Sequence, residues 1–162
     1  SIKAHNDCNK KLSYQTLLNQ LPITETLFKR LKSVYLGDDV DSWNIYKKVR
    51  LVHYVPGQFK EHHRDTKYKD GKLTCKYTLI IYLNDNFDGG STVGFPDFTD
   101  VTYSNKATIH VAKYLPDMME SSNIIKVKPK VGRGALYGID LIHMGEPINS
   151  GEKWLLIFKI MT

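Results

Sequence analysis

The run His62-His63-Arg64-Asp65 places an imidazole and a carboxylate two positions apart. Side chains on an extended strand alternate between faces, so His63 and Asp65 point one way and His62 and Arg64 the other. One histidine and one carboxylate on one face make two-thirds of a 2-His-1-carboxylate set. Such a set takes one face of an octahedral metal, leaves three positions open and suits non-haem Fe(II). Alone, the pair is a weak signal and reads more readily as a surface histidine beside a surface aspartate. The third ligand must come from elsewhere. His143, in Leu141-Ile142-His143-Met144-Gly145, is the candidate, although a histidine among apolar neighbours also reads as a hydrogen-bonded core residue.

Spacing adds a fourth group. Lys153 follows His143 by ten residues, with Pro147 and Gly151 between them, and opens the run Trp154-Leu155-Leu156-Ile157-Phe158. The spacing predicts His143 and Lys153 on adjacent antiparallel strands facing one cavity. A buried cation beside a metal site needs an anion. A dicarboxylate would supply it, and lysine offers a carboxylate a point charge and three donors. The plain alternative is an exposed lysine at a strand edge.

These residues need elements to position them. Leu12, Leu17, Leu18 and Leu21 lie at helix-like spacing and Pro22 ends the run, which predicts a first helix. Thr24 is placed to cap a second helix through Leu27, Leu31 and Tyr35, and Gly37-Asp38-Asp39 breaks it. From Trp43 the character changes. Strands are predicted over Ile45–Val55, Gln58–Asp65, Leu73–Asn84, Ile124–Val127, Ala135–Tyr137 and Trp154–Ile160. Pro56-Gly57, Asp70-Gly71 and Asp88-Gly89-Gly90 are turns. Residues 106–122 read as a strand followed by a mobile loop. The expectation is a mainly β chain with N-terminal helices, α+β in class, in which strands form a sandwich or barrel.

Composition bounds the rest. The chain has 162 residues, a size that suits one domain, and 41% are hydrophobic. No apolar run of about 18 or more residues occurs, so no membrane span is expected. The polar start is not a signal peptide, and a chain beginning at Ser1 leaves an upstream segment open. Cys8 and Cys75 are no disulfide scaffold and form no CxxC. As free thiols they point to a reducing, intracellular (cytoplasmic) compartment. The net charge is +6, but its lysines are dispersed without a dense block. A solvated lysine-rich surface is favoured over a nucleic-acid footprint. Oligomeric state is not readable.

The segments together resemble the prolyl 4-hydroxylase-like branch of the Fe(II)/2-oxoglutarate dioxygenases. The resemblance runs from about Val49 to Ile160. It rests on Leu51–Gly57 with His63-Arg64-Asp65, on Tyr77–Asn84 with Asp88-Gly89-Gly90-Ser91-Thr92, and on Lys128–Tyr137. His143, Gly145, Pro147, Gly151, Lys153 and Trp154 then follow in the family's order. The resemblance implies a double-stranded β-helix, or jelly roll, over about residues 43–162, with helical support over about 1–40, in a single domain 1–162. It implies Fe(II) held by His63, Asp65 and His143. It implies 2-oxoglutarate as cosubstrate, held by Lys153 with Tyr54, Thr92 and Tyr82, O2 as oxidant and ascorbate as an accompanying reductant. The substrate implied is a prolyl residue of a protein or peptide.

Arg64 departs from the family's aromatic or acidic residue between the ligands, and residues 96–122 are unfamiliar and could cover a substrate. No separate peptide-binding domain is visible, which weighs against collagen. Lysyl residues, free amino acids and other small molecules stay open as substrates. A nucleic-acid demethylase would use the same triad, but such enzymes pair the cosubstrate with arginine. A jelly-roll binding module without catalysis would not need both residue sets intact. A zinc hydrolase leaves Lys153 and the Gly-Gly-Ser-Thr turn without a role. By parity, His53 and His62 face away from the site; His5 and His110 receive no role.

Overall fold

Strands covered by packed elements on both faces read as nearly continuous apolar runs. Two segments of this chain have that character. The computed structural model describes residues 3–4, 14–19, 22–35, 40–67, 69–98 and 123–162. In chain order the strands are β1 (Lys3–Ala4), β2 (Tyr14–Asn19), β3 (Asn44–Ile45), β4 (Lys48–Tyr54), β5 (Lys60–His63), β6 (Lys69–Asp70) and β7 (Leu73–Tyr82). They continue as β8 (Asp88–Gly89), β9 (Thr92–Phe95), β10 (Ile125–Val127), β11 (Gly134–Gly138), β12 (Ile142–Gly145), β13 (Ile148–Ser150) and β14 (Lys153–Met161). One helix, α1 (Ile23–Val34), stands among them.

The two apolar runs are the middle of the larger sheet. Its order is β1-β2-β4-β14-β7-β11, with β3 beside β14 and β6 beside β7. A smaller sheet runs β10-β9-β12-β5, and β13 pairs with β8. All these pairings are antiparallel. Among the described residues the result is mostly β with one α-helix, the mainly β class expected, with one fewer N-terminal helix.

The larger sheet has two different faces. On one, Val49, Leu79, Leu156 and Phe158 pack with Leu27 and Leu31 of α1. Burying a side chain the size of Phe158 contributes about 1.5–3 kcal/mol. On the other, Val52, Tyr54, Ile80, Ala135 and Leu155 form a second apolar cluster. Lys153, Leu155, Ile157 and Lys159 share that face by strand alternation. A polar contact from this face, Tyr82 to Thr92, reaches the smaller sheet.

Three expectations for the framework fail. The predicted first helix is a strand, β2, paired along its length with β4 from Tyr14↔His53 to Asn19↔Lys48. Its leucines follow a two-residue alternation: Leu18 packs with the helix-side cluster, while Leu17 is 61% exposed. Pairing with the available edge of β4 overrides the helical spacing. Thr24 does not cap α1. Pro22 occupies the cap position without a side-chain hydrogen bond, and Thr24 lies fully buried one residue inside the helix. Finally, His143 and Lys153 are not on adjacent strands. β13 intervenes, pairs with β8, and delivers β12 and β14 to different sheets. Leu12, Leu21, residues 37–39 and the predicted strand and loop of 106–122 lie outside the described residues.

Candidate metal centre and adjoining polar pocket

β5 and β12 are neighbours, and His63 lies directly opposite His143 in their register. On the far side of β12, His143 faces Gly94 of β9. The two imidazoles therefore project from one cross-strand row, with ring centroids 4.2 Å apart. Asp65 follows β5 by two residues, and its Oδ1 lies 3.8 Å from His63 Nε2. One ligand atom from each of His63, Asp65 and His143 falls within a 4.8 Å cluster.

Hydrogen bonding aims the donors. His63 Nδ1 lies 2.7 Å from the Glu61 carbonyl, and His143 Nδ1 lies 3.0 Å from the Leu141 carbonyl. A carbonyl only accepts, so both Nδ1 atoms carry the proton. Each Nε2 is left with a lone pair turned into the cluster, the arrangement that metal-ligating histidines use. Burial, reinforced by His143 and Lys60, lowers the His63 pKa to about 3. Burial also lowers that of His143, with Asp65 opposing. Both rings are therefore neutral at pH 7, the form that binds a metal. For Asp65, burial pushes the carboxyl up, but Lys159, His143 and Thr78 outweigh it and hold it at about 2. Two neutral imidazoles and one carboxylate fit a divalent ion such as Fe(II).

Three unpredicted residues surround the triad. Lys159 Nζ donates to Asp65 Oδ2 at 2.6 Å, and the Thr78 hydroxyl donates to the same oxygen. The Tyr137 hydroxyl lies 3.1 Å from His143 Nε2 and donates to the same lone pair that a metal would take, so ligation there would displace this hydrogen bond. Tyr137, Thr78 and Lys159 form one row across β11, β7 and β14. Burial first, then Asp65, Tyr54 and Tyr82, raises the Tyr137 pKa well above 10, which keeps the phenol protonated. Parity could have found Lys159, which lies six residues beyond Lys153 on the same strand. Thr78 and Tyr137 carry no local signal, because only sheet register aligns them.

The second polar cluster gathers the other predicted residues. Lys153 is 3% exposed and faces Tyr54 across the β14–β4 ladder. Its Nζ donates to the Gly90 carbonyl at 2.6 Å and sits 5.0 and 5.5 Å from the Tyr54 and Tyr82 ring centroids. The Tyr82 hydroxyl donates to Thr92 Oγ1 at 2.6 Å, tying the larger sheet to the smaller. Burial lowers the Lys153 pKa to about 8, with Glu146 opposing. A dianion could restore full protonation there. Gly90 has φ 68°, and a Cβ there would meet Ile148 Cδ1 at 2.5 Å and Lys153 Cδ at 3.2 Å. Glycine is therefore needed where the backbone passes the ammonium.

Other histidines and cations lie off this site. His53 stacks on Trp154 at 3.9 Å and contacts Glu152 at 3.0 Å. His62 turns away from the triad and packs on Phe95, 5.1 Å between centroids. Arg64 Nη2 donates to the Phe98 carbonyl at 3.2 Å. His5, His110 and Cys8 lie outside the described residues. No helix among the described residues is long and apolar enough to cross a membrane.

Comparison with known proteins bears on family and fold. A protein of Acanthamoeba polyphaga mimivirus named "Putative prolyl 4-hydroxylase" is 26% identical over 66% of this chain and 41% of its own length. The chain thus spans about two-fifths of that relative. Among solved structures, the viral collagen prolyl hydroxylase of Paramecium bursaria Chlorella virus-1, in its 2-oxoglutarate complex, superposes with a TM-score of 0.62. It shares 23% identity, and the match covers 94% of this chain and 80% of that one. SnoK, a non-haem α-ketoglutarate-dependent carbocyclase of nogalamycin biosynthesis, has a TM-score of 0.69 at 14% identity, covering 99% of this chain and 68% of that one. At such identities the likeness is one of fold. Residues 49–160 match the family model of the 2OG-Fe(II) oxygenase superfamily, and the chain belongs to that family.

Proposed function

We propose that this chain is a hydroxylase that uses Fe(II), O2 and 2-oxoglutarate, acting on a prolyl residue of a protein or peptide. The observation that carries the reading is the pairing of two clusters across the sheets. The triad His63, Asp65 and His143 and the buried Lys153 are bridged by Tyr137, which bonds His143 and packs on the cluster that holds Tyr54, the ring under the Lys153 ammonium. We read residues 1–162 as one domain whose two sheets are those of a double-stranded β-helix. The contacts Tyr82–Thr92, Tyr137–His143 and Lys159–Asp65, which join the sheets, support that reading.

When bound, Fe(II) with 2-oxoglutarate and O2 supplies the oxidant, while 2-oxoglutarate is converted to succinate and CO2. The protein's part is geometry. His63 and His143 would offer Nε2 and Asp65 would offer Oδ1, leaving one face of the metal open. Lys153, with the hydroxyls of Thr92 and Tyr54, would hold the cosubstrate's far carboxylate. Tyr82 would act through Thr92, to which its hydroxyl is bonded. The apolar wall of Val52, Ile80, Ala135 and Leu155 would keep water from the region between. The prolyl preference rests on the prolyl hydroxylase names among the similar proteins.

The test is an anaerobic Fe(II) titration with and without 2-oxoglutarate, followed by visible charge-transfer absorbance, with His143→Ala as control. A band that needs both components and vanishes in the variant is expected. Iron binding without recruitment of 2-oxoglutarate would overturn the reading and favour a binding module. Substrate class is then read from succinate formed in excess over the uncoupled rate with proline-containing peptides.

A further inference from the structure

The site-facing side of β14 carries two lysines, and the cosubstrate reading uses only Lys153. Lys159, six residues on, is also largely buried, with 13% of its side chain exposed. Its ammonium lies 2.6 Å from Asp65 Oδ2 and 2.7 Å from Thr78 Oγ1. Thr78, opposite Lys159 in the β14–β7 ladder, donates its hydroxyl to that same Oδ2. Two donors therefore occupy Oδ2, while Oδ1 is turned toward His63 Nε2 at 3.8 Å.

A carboxylate with both oxygens available can close on a metal through both. One whose Oδ2 is saturated offers a single oxygen. The difference matters in this site, because a chelating cosubstrate and O2 together need all three positions that two histidines and one oxygen leave open. Charge acts in the same sense. An ammonium bonded to a ligand opposes the incoming metal but favours the incoming dianion. Both effects lower affinity for the bare ion and raise affinity for the cosubstrate.

We propose that Lys159, with Thr78, is a positioning residue that holds Asp65 to one-oxygen ligation and thereby makes room for 2-oxoglutarate. The inference rests on the hydroxylase reading above. It assigns the second lysine of β14 to the metal ligand, as the first is assigned to the cosubstrate.

The test uses the full chain and the variants Lys159→Met, Lys159→Arg and Thr78→Val, with two readouts besides turnover. Mn(II) affinity without cosubstrate is read from the electron paramagnetic resonance of the free ion. Affinity of the Fe(II)-loaded protein for 2-oxoglutarate, without oxygen, is read from the charge-transfer band. In Lys159→Met, Mn(II) should bind at least as tightly as in the wild type, while 2-oxoglutarate affinity falls by about tenfold or more, the scale of losses at groups that orient metal ligands. Lys159→Arg should recover most of the loss, and Thr78→Val should move both affinities the same way by less. Loss of Mn(II) binding in Lys159→Met, to the level of His63→Ala, would overturn the proposal, as would two unchanged affinities. Should Lys159→Met fail to fold, Thr78→Val decides by the same criteria. A wild type with no band overturns the hydroxylase reading and this inference with it; a wild-type band that the variants leave intact overturns this inference alone.

Discussion

His63 and His143 occupy facing positions of β5 and β12, and their imidazoles stand 4.2 Å apart with both Nδ1 atoms tied to main-chain carbonyls. Each ring is thereby fixed before any ion arrives. His63→Ala or His143→Ala should reduce divalent-metal affinity by more than about 100-fold, beyond the loss typical of groups that merely orient a ligand. Titration with Co(II), followed by d–d absorbance, measures it. Unchanged affinity in either variant would remove that histidine from the ligand set.

Lys153 should govern the cosubstrate and not the metal. Lys153→Ala leaves a bound carboxylate buried without its cation, a loss of about 2–5 kcal/mol. Anaerobic titration of 2-oxoglutarate into metal-loaded protein should show it, with metal affinity near wild type. Equal cosubstrate affinities would place the far carboxylate elsewhere.

The same lysine makes stability depend on pH. Its folded pKa, about 8, lies below the ordinary 10.5. Between those values the unfolded chain binds more protons, so this group's contribution to stability increases with pH across that window. Below about 8 the cost of burying the charge is fully present. The ligand-free protein should therefore gain in urea midpoint from pH 8 toward 10.5 relative to Lys153→Met. Saturating 2-oxoglutarate should stabilise the protein most at the lower end, where the ammonium is charged. Parallel profiles for the two proteins would contradict the burial argument.

Gly90 combines φ 68° with a Cβ path blocked by Ile148 and Lys153. Gly90→Ala should cost about 1–3 kcal/mol from backbone strain alone. It should also weaken 2-oxoglutarate binding, because the added Cβ must displace Ile148 and crowds the Lys153 stem at 3.2 Å. Chemical denaturation and cosubstrate titration of the same variant separate the two effects.

Phe158 lies on the opposite face of β14, buried to 1% exposure with Val49, Leu79 and Leu156. Phe158→Ala should destabilise by about 3–5 kcal/mol through the cavity it leaves. In whatever fraction stays folded, metal affinity should be retained, because the variant touches the helix side of the sheet. A large loss of metal affinity in that folded fraction would mean that the two faces are coupled.

Local sequence determined the metal-ligand candidates, Lys153 and the long strands β4, β7 and β14. The two-residue period read over residues 58–65 placed His63 and Asp65 together, although β5 itself ends at His63, and dense apolar and β-branched content marked β7 and β14 without knowledge of their partners. Tertiary structure decided whatever depends on pairing. Leu17 and Leu18 satisfy a helical spacing as well as a strand, and the open edge of β4 makes β2 a strand. Lys153 could have been a surface lysine until the Gly90 turn and the rings of Tyr54 and Tyr82 were folded over it. Lys159, Thr78 and Tyr137 are far apart in the chain, and only the register of β14, β7 and β11 sets them in one row beside the triad. Side-chain alternation is a local property and can be read from neighbouring residues. Register is fixed by hydrogen bonds between distant segments, so the residues it aligns are recognisable only after the sheet has formed.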